Sequence, residues 1–301
     1  MTSTDPILEV RDLTVVVPER FRIGGGDGDL TLVDRVSFDI RPGERLALVG
    51  ESGSGKTMTA RSVLQLDRDV ELGGSIRWAG RELLGASKRT LRSIRGGEIS
   101  MIFQDPMTAL NPVLTIGEQV AEPLLVRGTS KKEAYARAAD MLDRLGVPKA
   151  KERLRAYPNQ FSGGMRQRVV MAAALVAQPR LLIADEPTTA LDVRVQEQVL
   201  DLIEEQSREL DLAVLFITHD LSIVAGLAHR VAVMYRGSLV EQQDVEDLFD
   251  APQHPYTRGL IGSVPRLDAD PNVRLTTVED FMAAQRAADE IVEDEEVNAD
   301  V

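Results

Sequence analysis

Lys56 and Thr57 end an eight-residue motif whose residue types suit the binding of a nucleoside triphosphate. The motif reads Gly50-Glu51-Ser52-Gly53-Ser54-Gly55-Lys56-Thr57. Its glycines let backbone N–H groups turn inward around phosphate oxygens. We expect the Lys56 ammonium to reach the β- and γ-phosphates and the Thr57 hydroxyl to coordinate Mg²⁺. The predicted nucleotide contacts in this region are Gly50, Ser52, Gly53, Ser54, Gly55, Lys56, Thr57 and Met58.

We call this motif, residues 50–57, the P-loop. The segments on either side of it support the prediction that it binds a nucleotide. Leu46–Val49 is apolar and typical of a buried strand, and Lys56–Leu66 has the character of a helix. The chemistry requires this order of elements, because the loop must present N–H groups at the positive end of a helix. A glycine-rich turn with a chance lysine would not explain the two flanking elements.

Two adjacent carboxylates, Asp185 and Glu186, follow the apolar segment Leu181–Ala184. The carboxyl end of such a strand can face a bound nucleotide. We expect Asp185 to hold Mg²⁺ through water and Glu186 to polarise the attacking water as general base. Taken alone, a strand that ends in Asp-Glu is more often structural, and the P-loop favours the catalytic interpretation.

A second anion-binding segment is indicated by Ser162, Gly163, Gly164 and Met165, which open a predicted helix. A serine and glycines at a helix start leave N–H groups available to an anion. One chain does not need two such sites for one γ-phosphate, whereas two chains placed head to tail would each complete the other's site. An ordinary N-capped helix is the alternative.

Strands and helices that alternate along the chain must position these residues. Strands are indicated at Ile7–Val17, Val36–Val49, Ser75–Trp78, Glu98–Phe103, Leu181–Ala184, Ala213–Thr218 and Val231–Tyr235. Helices are indicated at Lys56–Leu66, Thr115–Leu125, Ser130–Leu145, Ser162–Gln178 and Val193–Leu210, and Ser130 with Glu133 forms a capping-box pattern. The alternation predicts a mostly parallel sheet covered on both faces. After Asp250, prolines are expected to break up regular structure.

The acidity of the chain is concentrated at its end. The sequence has 301 residues and a net charge of −13, and the segment from Glu279 onward sets nine acidic residues against one arginine. This distribution argues weakly against binding of nucleic acid, which needs clustered Lys and Arg. For this acidic segment the sequence allows two alternatives, a helix over residues 278–291 or a disordered tail.

The absence of cysteine excludes disulfides, iron–sulfur clusters and zinc–thiolate sites. No apolar run approaches the roughly 20 residues of a membrane-spanning helix. The N-terminal residues lack a basic segment followed by an apolar one, so we expect no signal peptide. These features fit a cytoplasmic location.

The segment Ser162-Gly163-Gly164-Met165-Arg166-Gln167 resembles the signature of the ABC (ATP-binding cassette) family, usually written Leu-Ser-Gly-Gly-Gln. Phe161 replaces the usual Leu and Met165 the usual Gln. Two chains of that family enclose ATP between the P-loop of one and the signature of the other. The resemblance runs from about Ile7 to Leu267.

Three further positions match the family in order. Gln104 resembles the Q-loop glutamine, which contacts Mg²⁺ and the attacking water. Ala190-Leu191-Asp192 resembles the D-loop, which crosses to the partner and adds Asp192 to the nucleotide site. His219 resembles the switch histidine, which hydrogen-bonds the γ-phosphate, so the resemblance implies Glu186 and His219 as catalytic residues.

The resemblance also implies an α/β architecture. We expect an ATP-binding core at residues 1–104 and 161–250, with a mostly parallel sheet and an N-terminal antiparallel β part. A helical subdomain at 105–160, a C-terminal extension at 251–278 and an acidic tail at 279–301 complete the expected organisation.

Three segments are similar to the branch of the family that imports oligopeptides and dipeptides: Gln104–Pro112, Tyr157–Gln160 and His254–Leu260. The branch implies a second, different ATP-binding subunit, two membrane permease subunits and an external substrate-binding protein that this chain meets indirectly. It places the chain peripherally at the cytoplasmic face of the membrane. Nickel, glutathione and opines are cargoes of related importers, so the cargo stays open.

Other interpretations are weaker. Soluble ABC ATPases of translation usually have two cassettes in one chain, and those of DNA repair have a long coiled coil within the cassette. The sequence indicates neither feature. A plain P-loop kinase or GTPase would not explain the signature or His219. A nickel-binding role for His254 is disfavoured, because the ATPase subunit does not touch the cargo.

The aromatic residue that usually stacks on adenine in this family is missing near Val17, and Phe21 is a candidate substitute.

Overall fold

The structure, a computed structural model, describes residues 5–22, 28–104, 109–188 and 193–263. In these residues the chain forms two sheets and a set of helices that pack on them. No helix within those ranges combines the length and the apolar character needed to cross a bilayer.

The first sheet is antiparallel. Its strands are β1 (Leu8–Val17), β2 (Leu30–Ile40), β4 (Glu71–Trp78) and β5 (Arg81–Glu82). They lie in the order β2-β1-β4-β5. In β1, a register shift between Val10 and Leu13 separates two short stretches in which alternate residues are buried. The sheet confirms the expected N-terminal antiparallel part.

The second sheet is mostly parallel, as predicted. Its strands are β3 (Arg45–Val49), β6 (Ile99–Ile102), β7 (Leu181–Asp185), β8 (Ala213–Thr218), β9 (Arg230–Tyr235) and β10 (Ser238–Asp244). They lie in the order β10-β9-β3-β8-β7-β6, and β10 pairs with β9 antiparallel. Every residue of β7 and β8 is buried, which is typical of parallel strands covered on both faces.

Strand β3 separates two hydrophobic cores. Leu46 and Leu48 pack with the antiparallel sheet, whereas Ala47 and Val49 pack into the core formed by the helices. The alternation follows from the two-residue period of a strand. As a result, the loop that follows β3 begins between the two layers of the molecule.

Helices lie between the strands and after the sheet. They are α1 (Lys56–Val63), α2 (Lys88–Ile94), α3 (Ile116–Val126), α4 (Lys131–Arg144), α5 (Ala150–Arg153), α6 (Gly163–Leu175), α7 (Val193–Leu210), α8 (Leu221–Leu227), α9 (Val245–Asp250) and α10 (Pro255–Gly262). A reciprocal capping box starts α3 at Thr115 and Glu118, and Ser130 Oγ accepts the Glu133 N–H at the start of α4. Helices α3, α4 and α6 pack on one another.

Two predictions of secondary structure were wrong. Val36–Val49 is two strands in different sheets, because the chain turns between Ile40 and Arg45 with Gly43 at φ +67°. The region after Asp250 contains the helix α10, since Pro255 occupies its first turn, where the missing N–H has no helical partner to lose.

Candidate ATP site

The P-loop joins β3 to α1, and glycine is required at its first residue and again directly before α1. Gly50 has φ +148°, and a Cβ there would lie 2.2 Å from the carbonyl oxygen of Met234. Gly55 has φ +102°, and its Cβ would lie 2.8 Å from the carbonyl oxygen of Leu32. The loop therefore packs so closely on neighbouring backbone that a side chain at either position would displace it.

Lys56 lies inside the curve of the loop and is almost fully buried. Its Nζ donates to the carbonyl oxygens of Gly50 at 2.7 Å and Glu51 at 2.8 Å, and to Ser54 Oγ at 3.3 Å. Burial lowers the pKa of the ammonium, and the carboxylates of Glu186 and Asp185 oppose that shift. The loop thus holds a cation in place by its own backbone.

The other predicted contacts in the P-loop differ in exposure. Ser52 and Gly53 lie exposed at the tip of the loop, whereas Ser54 is buried. Met58 belongs to α1, and its side chain packs against the core beneath the antiparallel sheet.

Thr57 and Asp185 meet although they lie far apart in the sequence. The Thr57 hydroxyl donates to Asp185 Oδ1 at 3.1 Å. Burial raises the pKa of the Asp185 carboxyl, and the Thr57 hydrogen bond and the Lys56 charge counteract it. The pair places a hydroxyl and a carboxylate next to each other at the start of α1.

Glu186 lies between two of the side chains expected near it. Its Oε2 accepts from Gln104 Nε2 at 2.9 Å, and its Oε1 lies 3.0 Å from His219 Nδ1. The backbone of Glu186 has φ +45°, and its N–H donates to the carbonyl oxygen of Ile217 at 2.9 Å. The Glu186 side chain is 11% exposed and that of His219 is 57% exposed, so the cluster opens to solvent on the histidine side.

The signature segment makes a separate set of local contacts. Ser162 caps α6, and its Oγ accepts the Met165 N–H at 3.4 Å. Ser162 and Gly163 are exposed, and Gly164 is partly buried. Within the part of the chain that the structure describes, Ser162 and Met165 make their hydrogen bonds among neighbours in the helical region, including Arg153, rather than to the P-loop.

Some predicted residues cannot be compared with the structure. Asp192 and the rest of the D-loop lie outside the described residues, as do positions 105–108 and 279–301. Phe21 is 42% exposed, with the Arg20 guanidinium 4.9 Å from its ring centroid, so it stays a candidate for adenine stacking.

Gln167 makes a contact that the sequence did not predict. This side chain of α6 is fully buried, and its Nε2 donates to the carbonyl oxygen of Pro187 at 2.7 Å. It therefore joins the signature helix to the residue that follows Glu186. A polar residue inside an otherwise apolar helix face was the only signal in the sequence.

A strand, a glycine-rich loop, a helix and a second parallel strand of the same sheet that ends in paired carboxylates define a P-loop nucleoside triphosphatase. The family model for the ABC transporter matches residues 33–189, and the model for the oligopeptide/dipeptide transporter C-terminal region matches residues 240–290. The chain belongs to the ABC transporter family, as the resemblance implied, and it is an ATP hydrolase.

Relatives with known names agree with this family. The oligopeptide transport ATP-binding protein OppD of Salmonella typhimurium is 48% identical over 272 residues, covering 90% of this chain and 79% of the relative. The dipeptide transport ATP-binding protein DppD of Bacillus subtilis is 52% identical over 245 residues, covering 80% and 73%. The dimeric ATP-binding cassette MJ0796, solved with ADP and Pi, has a TM-score of 0.68 and 26% identity over 79% of this chain and 98% of that one.

Proposed function

We propose that the chain is the ATP-hydrolysing subunit that powers import of dipeptides or oligopeptides by an ABC transporter. The observation that carries the catalytic part is the position of Glu186, hydrogen-bonded between Gln104 and His219 beside the P-loop. The peptide cargo is supported by the names of the relatives and by the match at residues 240–290.

When ATP binds, the Lys56 ammonium exchanges its hydrogen bonds to the loop for hydrogen bonds to phosphate oxygens. The ammonium is held by two carbonyl oxygens and a hydroxyl, which are weaker acceptors than phosphate oxygens. The exposed N–H groups of the loop and the start of α1 give further donors for the phosphates. Burial of the site strengthens these charge interactions.

Glu186 acts as general base. A carboxylate oxygen can accept more than one hydrogen bond, so the attacking water can donate a hydrogen bond to Glu186. As the water oxygen attacks the γ-phosphorus, Glu186 takes its proton and ADP departs with the electron pair of the broken P–O bond. Gln104 and His219 orient the carboxylate, and His219 also faces the γ-phosphate.

Thr57 at the start of α1 and Asp185 at the end of β7 fit Mg²⁺. The Thr57 hydroxyl and the Asp185 carboxylate lie within hydrogen-bond distance of each other, and both offer the oxygen ligands that this ion prefers. We assign Thr57, Asp185 and Gln104 to the metal, with Asp185 acting through water. The ion neutralises charge on the β- and γ-phosphate oxygens when it is bound.

The site is completed by a second ATP-binding subunit. At the N-terminus of α6, Ser162 and Gly163 are exposed and Gly164 and Met165 are partly buried, so a surface is available to cover the nucleotide of a partner. Asp192 adds a contact across the same interface. By likeness to the peptide-importer branch, the partner is a different chain, which makes a heterodimer.

The chain binds two permease subunits at the cytoplasmic face of the membrane, and it meets the external binding protein only through them. A groove of about 500 Å³ between the sheet and the helical region supports this proposal. Phe103 and Leu114 line it and are 42% and 37% exposed, although both are large and apolar. Such a groove suits a short helix of a partner. Nucleic acid is not among the expected partners.

Uptake of a labelled tripeptide by cells with Lys56→Ala on the chromosome tests the proposal, with nickel uptake measured in parallel. Lys132→Ala, at an exposed lysine of α4, is the matched control. We expect Lys56→Ala to abolish peptide uptake and Lys132→Ala to leave it unchanged. Loss of nickel uptake alone would keep the mechanism and change the cargo. If neither uptake changed, both cargo assignments would fall.

A further inference from the structure

The segment that follows β10 reaches back to the P-loop through Tyr256. This tyrosine of α10 is fully buried, and its ring centroid lies 4.3 Å from that of Tyr235 with the planes 35° apart. The Tyr256 hydroxyl accepts a hydrogen bond from the Glu51 N–H at 2.9 Å. A side chain 205 residues away in sequence thus contacts the backbone that binds phosphate.

The peptide unit between Gly50 and Glu51 is held at both ends. Its carbonyl oxygen accepts from Lys56 Nζ at 2.7 Å, and its N–H donates to Tyr256. A peptide unit is planar, so fixing the N–H direction fixes the direction of the carbonyl. Gly50 offers little resistance to rotation of this plane, because glycine adopts many backbone conformations. Tyr256 therefore supplies the restraint that the glycine lacks.

Tyr256 is itself held in place by a buried carboxylate. Glu241 of β10 is 8% exposed and accepts the N–H groups of Gln253 at 2.7 Å and His254 at 2.9 Å. His254 Nδ1 in turn accepts the Tyr256 N–H at 3.1 Å and caps α10. A continuous set of hydrogen bonds thus runs from the edge strand of the sheet to the P-loop.

The chemical state of the hydroxyl suits this position. Burial raises the pKa of Tyr256 to about 12, so the phenol is neutral at physiological pH. A neutral hydroxyl accepts from Glu51 and places no negative charge beside the phosphates.

We propose that Tyr256 is a positioning residue for ATP, which fixes the first peptide unit of the P-loop in the orientation that receives Lys56 and the nucleotide. The proposal rests on the P-loop as the ATP site. It gives the C-terminal segment a role in nucleotide binding, and it makes the affinity for ATP dependent on how that segment is seated.

Steady-state ATP hydrolysis by the full-length chain in its transporter complex tests the proposal with Tyr256→Phe, which removes one oxygen atom. We expect KM for ATP to rise about two- to tenfold, the range for loss of one hydrogen bond between neutral groups, with kcat little changed. Tyr235→Phe is the matched control, because its hydroxyl has no hydrogen bond to the P-loop in the described part of the chain. It is expected to leave KM unchanged.

Thermal unfolding with and without ATP separates positioning from packing. If Tyr256 positions the loop, the rise in the unfolding midpoint caused by ATP becomes smaller in Tyr256→Phe. A midpoint lowered equally in both conditions, with wild-type KM, would overturn the proposal. Lys56→Ala is measured in parallel. If Lys56→Ala binds ATP poorly while Tyr256→Phe keeps the wild-type KM, the ATPase assignment stands and the positioning role of Tyr256 is rejected. Wild-type ATP use by Lys56→Ala would remove the ATP site and this proposal together.

Discussion

At the scale of single residues, we propose that Glu186 is the group on which hydrolysis most depends. Glu186→Gln keeps the shape and a hydrogen-bond partner for Gln104, but an amide cannot take a proton from water. We expect turnover to fall by about 10²- to 10⁴-fold while ATP still binds and traps a closed dimer. Phosphate release and gel filtration with ATP measure the two effects. Glu197→Gln, at an exposed carboxylate of α7, is the control. An unchanged turnover in Glu186→Gln would sink the base assignment.

How much of the site the sequence predicts depends on how local each contact is. The placement of Lys56 and Thr57 could be predicted from spacing, because one loop and one helix start hold both residues. Gln104 and His219 lie 82 and 33 residues from Glu186, so only the family resemblance indicated them. Tyr256 has no spacing signal at all, because its contact depends on the packing of two distant segments.

At the scale of elements, the P-loop tolerates no side chain at its first glycine. We expect Gly50→Ala to lower the free energy of unfolding by about 3 kcal/mol or more, since the methyl group must displace the Met234 backbone as well as adopt a positive φ. Gly85→Ala is the control, because Gly85 has φ +75° but no atom within 4 Å of an added Cβ. It should cost only about 1–2 kcal/mol of backbone strain. Denaturant unfolding compares them, and equal losses would contradict the close packing of the loop.

The two wrong predictions of secondary structure have the same cause. The apolar content of Val36–Val49 is continuous, and only the turn at Gly43 divides it into strands of two sheets. The prolines after Asp250 predict a break in regular structure, yet Pro255 lies in the first turn of α10, a position that proline favours. Composition shows where apolar residues and prolines lie along the chain, but the secondary structure that they adopt depends on where the chain turns.

At the scale of the whole molecule, sheet order brings together the residues proposed for one half of the catalytic site. Strands β3, β8 and β7 are neighbours, so the P-loop, His219 and Glu186 follow the carboxyl ends of adjacent parallel strands. This order could not be predicted from the sequence, because a long stretch of chain, from Val49 to Leu181, separates β3 from β7. The signature at Ser162 lies in the helical region instead, and the described contacts leave it apart from its own P-loop.

This separation predicts that Ser162→Arg and Lys56→Ala act on different sites. The isolated full-length chain with Ser162→Arg should bind ATP as the wild type does, because the arginine lies away from the chain's own P-loop; weaker binding would contradict the separation. In the transporter complex, the same change should abolish hydrolysis at the site formed with the partner's P-loop. Mixing the Ser162→Arg chain with the Lys56→Ala chain then distinguishes the two kinds of dimer. A homodimer would regain one intact site in each mixed pair and recover hydrolysis, whereas the heterodimer proposed here recovers none until its different partner is added.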